Sequence, residues 1–392
     1  MPNAEGSNAA YDRQPIADPA AAGIDPEALA ALFARVQQDV DSGRLPSCQL
    51  ALARAGKVAV WRAFGAAPVE SRYVMFSATK AVVAGAMWIL MGEGALDITL
   101  PVAALIPEFA ANGKEAITVE QVMLHTSGFP RAPFAPLDWD DRERRLARFA
   151  QWRTNWEPGT RYEYHPSTAH WVLAEIIERC TGQDFRTFLR ERILDPLGLV
   201  GLQVGVPVAQ QSDINDLVLS GEPATPDELE AAIGIRSLPM SEVTPDALMS
   251  FNQPEVRAVG VPGGGGVTTA ADLALYYQAL LTDPTGIWKP EVLADVTAHV
   301  RNHLPDYMGT PANRSLGLVI AGDDGRSAAR GMGHTVSARA FGHNGAGGQI
   351  AWADPETGLS FCYLTNGLDQ NEIRQWRRTS GIASRAAQCV AS

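Results

Sequence analysis

Two pairs of short apolar segments, one pair near each end of the chain, most constrain how this sequence can fold. They cover residues 48–54 and 58–64 in the first pair and residues 349–353 and 359–364 in the second. Gly56 lies between the first two segments and Gly358 between the last two, and glycine readily adopts the backbone of a tight turn. Each pair therefore predicts a β-hairpin, so both ends of the chain contribute strands to a sheet.

Between these strands the sequence has mainly helical periodicity. In residues 169–181 apolar side chains recur at helical spacing, and Gly182 follows as an expected helix end. Two more helices are predicted near the termini: one begins after Asp25, and one covers about residues 370–388. Residues 213–262 are rich in proline and weakly periodic, so we expect long loops there that wall a pocket.

The composition disfavours several classes of protein. The chain has 392 residues, 46% of them hydrophobic, and a formal net charge of −12, whereas nucleic-acid binding needs clustered Lys and Arg. The longest apolar run, residues 81–91, is shorter than the roughly 20 residues that cross a bilayer, and the first residues do not resemble a signal peptide. We therefore expect a cytoplasmic protein that binds neither nucleic acid nor a membrane. The oligomeric state is left open.

The cysteines and histidines form no metal signature. The four cysteines are far apart without a C-x-x-C pair, and no H-E-x-x-H sequence is present. The sequence therefore predicts free thiols, no metal and no other cofactor. No serine lies in the G-x-S-x-G turn of an α/β-hydrolase, which disfavours a Ser-His-Asp triad on that fold.

The segment Ser77-Ala78-Thr79-Lys80 combines a nucleophile with a base one helical turn away. It precedes the apolar helical segment that begins at Ala81, so both side chains can face the same way. A serine hydroxyl needs a base to take its proton, and a buried lysine can provide one. A helix that starts with serine and carries a solvated lysine is the alternative. Of the lysines in the chain, however, only Lys80 has a serine three residues before it.

Two further segments carry groups that such chemistry uses. Tyr164 follows a proline-glycine turn, and a tyrosine near a cationic lysine can shuttle protons as a partial phenolate. A core tyrosine is the alternative reading. Residues 341–348 are rich in glycine, so their backbone can approach a substrate closely and offer an amide N–H to an oxyanion. A simple turn is the alternative for that segment.

Together, these three elements resemble those of the β-lactamase and DD-peptidase superfamily. The likeness covers nearly all of the chain after Gly23, includes the segments 124–128, 262–266 and 363–367, and is strongest toward class C β-lactamases and family VIII carboxylesterases. The resemblance implies a two-lobed α+β fold. In that fold an antiparallel sheet is flanked by helices from both termini, and a mainly helical lobe is inserted between them.

The resemblance also implies a role for each site residue. Ser77 is the nucleophile, Lys80 its base and Tyr164 the shared acid and base. The backbone N–H groups of Ser77 and Ala346 form the oxyanion hole. The residues expected to contact the substrate occupy the K-T-G place or follow the tyrosine: His343, Asn344, Gly345 and His165.

Two departures from the class C pattern favour an ester substrate. Class C enzymes have Tyr-x-Asn where this chain has Tyr164-His165-Pro166, so the asparagine that holds the side-chain amide of a β-lactam is missing. The lysine of K-T-G is replaced by His343, which is largely neutral at pH 7 and provides a weaker cation for a substrate carboxylate. β-Lactams and D-alanyl peptides carry that carboxylate, and simple esters do not.

We therefore predict a serine hydrolase that cleaves small-molecule carboxylic esters through an acyl-Ser77 intermediate. The alternatives are β-lactamase or D-alanyl peptidase activity, acyl transfer to an alcohol, and a catalytically silent relative that binds a peptide or a partner protein. We expect a flexible arm over residues 1–20 and a single catalytic domain over residues 21–392. Within that domain, an α/β lobe covers about 21–76 and 310–392, and a mainly helical lobe covers about 77–309.

Overall fold

The computed structural model describes residues 10–238 and 243–390. The α-helices, in chain order, are α1 Pro26–Asp41, α2 Thr79–Gly92, α3 Val102–Leu105, α4 Val119–Met123, α5 Arg142–Gln151, α6 Thr168–Thr181, α7 Phe185–Leu189, α8 Asp195–Leu197, α9 Pro226–Ile233, α10 Pro245–Met249, α11 Pro254–Val259, α12 Ala270–Thr282, α13 Pro290–Ala298 and α14 Glu372–Ala387. The strands are β1 Ser47–Arg54, β2 Lys57–Gly65, β3 Tyr73–Val74, β4 Gln203–Val204, β5 Val218–Ser220, β6 Gly266–Thr268, β7 Val319–Ile320, β8 Phe341–Gly342, β9 Ile350–Asp354, β10 Leu359–Thr365 and β11 Gly367–Asp369.

Both predicted hairpins form and join in one sheet. The strand order is β2-β1-β10-β9-β8-β7, and every neighbouring pair is antiparallel. Strands β1 and β10 lie side by side, with Leu50 opposite Tyr363, so the two ends of the chain meet in the centre of the sheet. The prediction that both ends build one antiparallel sheet is confirmed.

Both faces of this sheet are covered by helices. Leu50 and Leu52 of β1 pack in the same cluster as side chains of α1 and α14, whereas Ala51 and Ala53 pack with α12 and α2. Successive residues of a strand point to opposite faces, so a strand that is apolar throughout is buried on both sides. The two terminal helices, α1 and α14, therefore lie on one face and helices from the middle of the chain lie on the other.

The long helices begin and end where the sequence signals predict. The carboxylate of Asp25 accepts a hydrogen bond from the N–H of Ala28 at 2.7 Å and caps α1. Helix α6 ends at Gly182, whose φ of 69° is the left-handed conformation that glycine adopts most readily. The apolar run at residues 81–91 is a helix inside the protein, since α2 is buried from Thr79 to Leu90.

The expectation of long loops over residues 213–262 is wrong for about half of the described part. That segment contains β5 and the short helices α9, α10 and α11, while residues 239–242 lie outside the described residues. Each of the three helices starts with a proline, at Pro226, Pro245 and Pro254. Proline is well suited to the first turn of a helix because the N–H that it lacks has no intrahelical partner there. Three of the prolines that indicated loops are therefore helix starts.

Part of the predicted N-terminal arm, residues 1–9, lies outside the described residues. Residues 10–20 run along the body of the protein, where the N–H of Ala10 donates to the carbonyl of Pro196 at 3.2 Å and that of Ile16 to Val58 at 3.0 Å. The division of the catalytic domain into two lobes stays a prediction.

A second, small sheet positions the segment that carries Ser77. Strand β6 pairs antiparallel with both β3 and β4, and the chain passes directly from β3 to the start of α2. Across the described ranges, no helix has both the length and the hydropathy to cross a bilayer.

Candidate active site

Ser77 lies at the junction between β3 and α2. Phe76, directly before it, has a φ of 43°, which is unusual for a residue with a side chain, and starts the 3-10 turn that leads into α2. Thr79 fixes this turn: its hydroxyl donates to the carbonyl of Phe76 at 2.6 Å and accepts from the N–H of Gly266 at 2.9 Å. The turn presents Ser77 at the N-terminal end of the helix, where the helix dipole favours negative charge.

The side chain of Lys80 reaches back to Ser77 and is completely buried. Its Nζ lies 3.2 Å from Ser77 Oγ and donates to the carbonyl oxygens of Pro166 and Gly263, each at 2.6 Å. A Cβ on Gly263 would lie 3.0 Å from Pro166 O and 3.3 Å from Nζ, so glycine leaves the ammonium group its room. The S-x-x-K spacing therefore produces the predicted approach of the two groups.

Tyr164 is partly exposed, but its hydroxyl is buried, and two cations lie near its ring. Lys80 Nζ lies 5.1 Å from the ring centroid, and Cζ of Arg314 lies 5.0 Å from it. Among the described residues no hydrogen bond to the Tyr164 hydroxyl meets a 3.5 Å limit, although Ser77 is near enough to influence it. Burial raises the pKa of Tyr164, while Arg314 and Ser77 act to lower it.

The glycine-rich turn after β8 comes into contact with the segment before Ser77. A Cβ on Gly345 would lie 2.2 Å from the carbonyl oxygen of Met75. The φ of Gly345 is −106°, which any residue adopts, so lack of space and not conformation requires glycine here. Ala346 follows and lines the same cavity as Ser77. The turn thereby brings the backbone of residue 346 to the cavity that Ser77 faces.

His343 is buried and neutral. Arg314 Nη1 donates to His343 Nε2 at 3.2 Å, and His343 Nδ1 lies 2.9 Å from the carbonyl oxygen of Asn344. A guanidinium only donates and a carbonyl only accepts, so the imidazole carries its single proton on Nδ1. Burial, with the charges of Arg314 and Lys80, lowers the pKa of His343 well below its usual range. The K-T-G place therefore carries no positive charge.

Two residues expected at the substrate have their polar atoms bound elsewhere. Nε2 of His165 accepts from the N–H of Phe129 at 3.1 Å and Nδ1 donates to the carbonyl of Glu163 at 2.6 Å, while burial lowers the pKa of His165 to about 3. The amide of Asn344 donates to the carbonyl of Gly331 at 2.5 Å and accepts from the N–H of Ala351 at 3.0 Å.

Neither His165 nor Asn344 lines the cavity, and the expectation that they contact the substrate stays a prediction. The polar atoms of both side chains form hydrogen bonds with backbone groups of other segments, which the sequence alone does not reveal. These bonds fix the segments next to the site.

A cavity of about 610 Å³ opens in front of Ser77. Most of its wall is apolar, with large side chains coming from the segment before α5, from α6 and from the segment around α10 and α11: Phe134, Trp171, Leu248, Phe251 and Val261. Two arginines also line it, and each has a carboxylate partner. Arg131 pairs with Glu163, and Arg148 Nε lies 3.0 Å from an oxygen of Asp138. The cavity is shaped for an apolar group.

Sequence reasoning missed Arg314 and the aromatic wall of the cavity. Arg314 lies between Asn313 and Ser315 in a segment without a motif, and nothing next to it indicates a site. Trp171 and Phe134 have the pattern of ordinary core residues. In the parts of the chain that the structure covers, no group of three or more His, Cys, Asp or Glu side chains is placed to hold a metal ion.

The family model for Beta-lactamase matches residues 32–383, which is most of the chain. This protein therefore belongs to the beta-lactamase family, and the predicted superfamily and α+β fold class are confirmed. The family consists of hydrolases with the β-lactamase fold.

Curated relatives include esterases. The chain is 30% identical over 319 residues to the esterase/beta-lactamase LipL of Mycobacterium tuberculosis, a match that covers 76% of this chain and 70% of LipL. It is 30% identical over 210 residues to the esterase EstB of Burkholderia gladioli, covering 46% of this chain and 53% of EstB.

Solved structures extend the likeness over the whole fold. A penicillin-binding protein homolog from Caulobacter crescentus matches with a TM-score of 0.75 and 28% identity, covering 94% of this chain and 99% of that chain. A family VIII carboxylesterase matches with a TM-score of 0.72 and 25% identity, covering 93% of this chain and 99% of that chain.

Proposed function

We propose that this protein hydrolyses carboxylic esters through an acyl intermediate on Ser77. The observation that carries the proposal is the position of Lys80 Nζ, 3.2 Å from the Oγ of Ser77, which lines a mostly apolar cavity. A nucleophile with a base in hydrogen-bond reach is the arrangement that covalent acyl transfer needs. The esterase relatives LipL and EstB support the same chemistry.

In the acylation step, Ser77 Oγ attacks the carbonyl carbon of the ester. The hydroxyl proton passes to the Lys80–Tyr164 pair, and the carbonyl oxygen takes up the negative charge. The N–H groups of Ser77 and Ala346 are proposed to stabilise that oxyanion. When the carbonyl re-forms, the bond to the alkoxy oxygen breaks, and this oxygen leaves as an alcohol with the proton from the pair.

In the deacylation step, a water molecule takes the place of the alcohol. Its oxygen attacks the acyl carbon while the Lys80–Tyr164 pair takes one of its protons. Collapse of the second oxyanion releases a carboxylic acid and returns the proton to Ser77 Oγ. The two steps use the same groups in opposite directions, so the enzyme ends as it began.

The charges around the cavity support an uncharged, apolar ester as the substrate. His343 is neutral, and the two arginines in the cavity wall, Arg131 and Arg148, already have carboxylate partners. A β-lactam or a D-alanyl peptide would bring a carboxylate without a fixed cation to receive it. An apolar acyl or alkyl group gains by leaving water for the apolar wall, by about 0.8 kcal/mol for each buried CH₂.

The test compares wild-type protein with Ser77→Ala and with the matched control Ser42→Ala, an exposed serine after α1. The substrates are p-nitrophenyl esters from acetate to octanoate and a chromogenic cephalosporin. Intact-mass measurements detect acylation of the protein by these substrates and its labelling by a phosphonate probe. We expect ester turnover that improves with acyl length, slow cephalosporin turnover, and a loss of about 10⁴-fold or more in Ser77→Ala only.

Other results would assign another function. Faster turnover of the cephalosporin than of any ester would make the protein a β-lactamase, and a new ester formed when a short alcohol is added would indicate acyl transfer. Undiminished ester hydrolysis by Ser77→Ala would show that the site is elsewhere. Failure of the phosphonate to label wild-type protein would favour a silent binding protein.

A further inference from the structure

Arg314 is a buried arginine without a carboxylate partner. Within residues 10–238 and 243–390, the other buried arginines each form an ion pair, namely Arg72 with Asp213, Arg145 with Glu175, Arg257 with Asp216 and Arg378 with Asp369. Arg314 is only 7% exposed, and no carboxylate in those ranges lies within 4.0 Å of it. Burying an uncompensated charge is unfavourable, so a negative charge near this guanidinium at some stage of the reaction would account for it.

The hydrogen-bond partners of Arg314 are neutral groups of the active site. Its Nε donates to the hydroxyl of Tyr162 at 2.9 Å and its Nη1 to His343 Nε2 at 3.2 Å. The backbone is also fixed, because the N–H of Arg314 donates to the carbonyl of Asn302 at 3.1 Å and the Asn302 amide donates to Leu124 at 3.1 Å. Hydrogen bonds therefore hold both the guanidinium and the backbone of Arg314.

Tyr164 is the group near Arg314 that can take up a negative charge. Cζ of Arg314 lies 5.0 Å from the centroid of the Tyr164 ring, and Lys80 Nζ lies 5.1 Å from the same centroid. The charged and titratable groups that face Tyr164 come from several segments: Lys80, His125, Tyr162, Arg314 and His343. His170 lies behind them, with its ring stacked on that of His125. Asp306 acts on Tyr162 as well. Burial lowers the pKa of the three histidines well below the usual range, so the cations of this set are Lys80 and Arg314.

We infer that Arg314 supplies the positive charge that the K-T-G place lacks in this chain, and that it stabilises the phenolate of Tyr164 while the proton of Ser77 is in transit. The inference rests on the proposed function and adds a residue to it. Arg314 does not line the cavity, so it acts through Tyr164 as a positioning residue and not on the substrate. The positive charge of Arg314 thus replaces the lysine charge that is absent at His343, because both residues lie beside the ring of Tyr164.

The test measures the pH dependence of kcat/KM for a p-nitrophenyl ester in Arg314→Gln. A nearby cation favours the deprotonated form of the Lys80–Tyr164 pair, so its removal moves the acidic limb to higher pH. We expect a shift of at least one pH unit, and about a tenfold loss of kcat/KM on that limb. Arg330→Gln is the matched control, because Arg330 is also largely buried but pairs with Asp324, and its limb should stay in place.

A second mutation asks whether charge alone is involved. His343→Lys in the Arg314→Gln background restores a cation at the K-T-G place, and we expect the limb to return toward its wild-type position. A purely structural role of Arg314 would lower the melting temperature but leave the limb unmoved, and a lysine at position 343 would not restore anything. An unmoved limb in folded Arg314→Gln overturns the inference.

If Arg314→Gln does not fold, Arg314→Lys decides the question, since it keeps the charge and loses the planar fork. We expect its acidic limb to stay within about 0.3 pH unit of wild type, and a shift as large as one unit overturns the inference. Phosphonate labelling of Ser77 separates the two levels of the proposal. Wild-type protein that is not labelled would contradict the proposed function, whereas normal labelling with an unmoved limb in the variant would contradict only the role of Arg314.

Discussion

The hydroxyl of Tyr164 is an unusual polar group, because it is buried and no hydrogen bond to it within the described ranges has good geometry, although Ser77 is near enough to act on it. Buried hydroxyls generally have a hydrogen-bond partner, because burial removes their hydrogen bonds to water and nothing else would replace them. Ser77, the proposed nucleophile, acts on this hydroxyl, and the ammonium group of Lys80 lies 5.1 Å from the centroid of the same ring. A hydroxyl kept at such a position is better explained by proton transfer than by stability.

Tyr164→Phe should therefore slow ester turnover without unfolding the protein. We expect kcat to fall by about 10²–10⁴-fold, which is the usual contribution of a positioned acid or base. The free energy of unfolding should change by less than about 1 kcal/mol, because no strong hydrogen bond is lost. Steady-state kinetics and urea denaturation measure the two effects.

Tyr276→Phe provides the contrast for that experiment. The Tyr276 hydroxyl is also buried, but it donates to the carbonyl of Ala81 at 2.8 Å, away from the cavity. Its removal should lower stability by about 1–3 kcal/mol and leave turnover near normal. Wild-type rates in folded Tyr164→Phe would remove this tyrosine from the mechanism.

At the scale of elements, the site depends on how closely two segments approach each other. The segment from β3 to α2 carries Ser77, and the turn after β8 carries Ala346. Their contact is Gly345 against the carbonyl of Met75, where a Cβ would lie only 2.2 Å from the oxygen. An oxyanion hole made of one N–H from each segment works only if this spacing is kept, since hydrogen bonds weaken steeply with distance.

Gly345→Ala should separate the two segments and weaken catalysis. We expect kcat to fall by about 10²–10³-fold, the usual effect of losing one oxyanion donor, and labelling of Ser77 by the phosphonate to slow in parallel. The added methyl group should also destabilise the fold by about 1–3 kcal/mol. Rapid-quench labelling and thermal unfolding check both.

Gly381→Ala is the matched control for the added methyl group. Gly381 lies inside α14, and a Cβ there meets nothing nearer than Arg385 at 3.5 Å. Alanine is the better helix former, so this variant should be as active as wild type and more stable by up to about 1 kcal/mol. Full activity in Gly345→Ala would show that the contact with Met75 does not set the spacing.

At the scale of the whole molecule, several buried histidines make the folded state sensitive to acid. Burial lowers the pKa of His125, His165, His170 and His343, to about 3 for His165. In the unfolded chain each histidine takes up a proton near pH 6.5. Below that pH the unfolded state binds protons that the folded state excludes, so stability is complete above pH 6.5 and falls as the pH drops toward the folded-state values.

We therefore expect the free energy of unfolding to fall steeply between pH 7 and pH 5. Each such histidine contributes a slope of up to about 1.4 kcal/mol per pH unit. Urea denaturation at pH 7, 6 and 5 gives the slope of the unfolding free energy against pH. His165→Gln should reduce this slope by the contribution of one histidine, which is at most about 1.4 kcal/mol per pH unit. His334→Gln, at an exposed position, should keep the wild-type slope. A flat profile for wild-type protein would contradict the neutral state of these buried rings.

The whole fold also explains which sequence predictions succeeded. The hairpins and the helix starts depend on neighbouring residues, such as Gly56 in a turn or the carboxylate of Asp25 before a helix. The prolines at 226, 245 and 254 were misinterpreted because a proline is compatible with both a loop and the first turn of a helix. Which of the two forms is decided by the apolar contacts of that segment, and these are not local.

Local sequence was enough to predict the hairpins, the long helices and the approach of Lys80 to Ser77, because one turn of helix or one tight turn is built from adjacent residues. The packing of distant segments set the backbone partners of Asn344 and His165, and it placed Arg314, 152 residues after Tyr162, against Tyr162 and Tyr164. Burial and charge pairing depend on which distant segments pack together, and a residue's immediate neighbours carry no information about that packing.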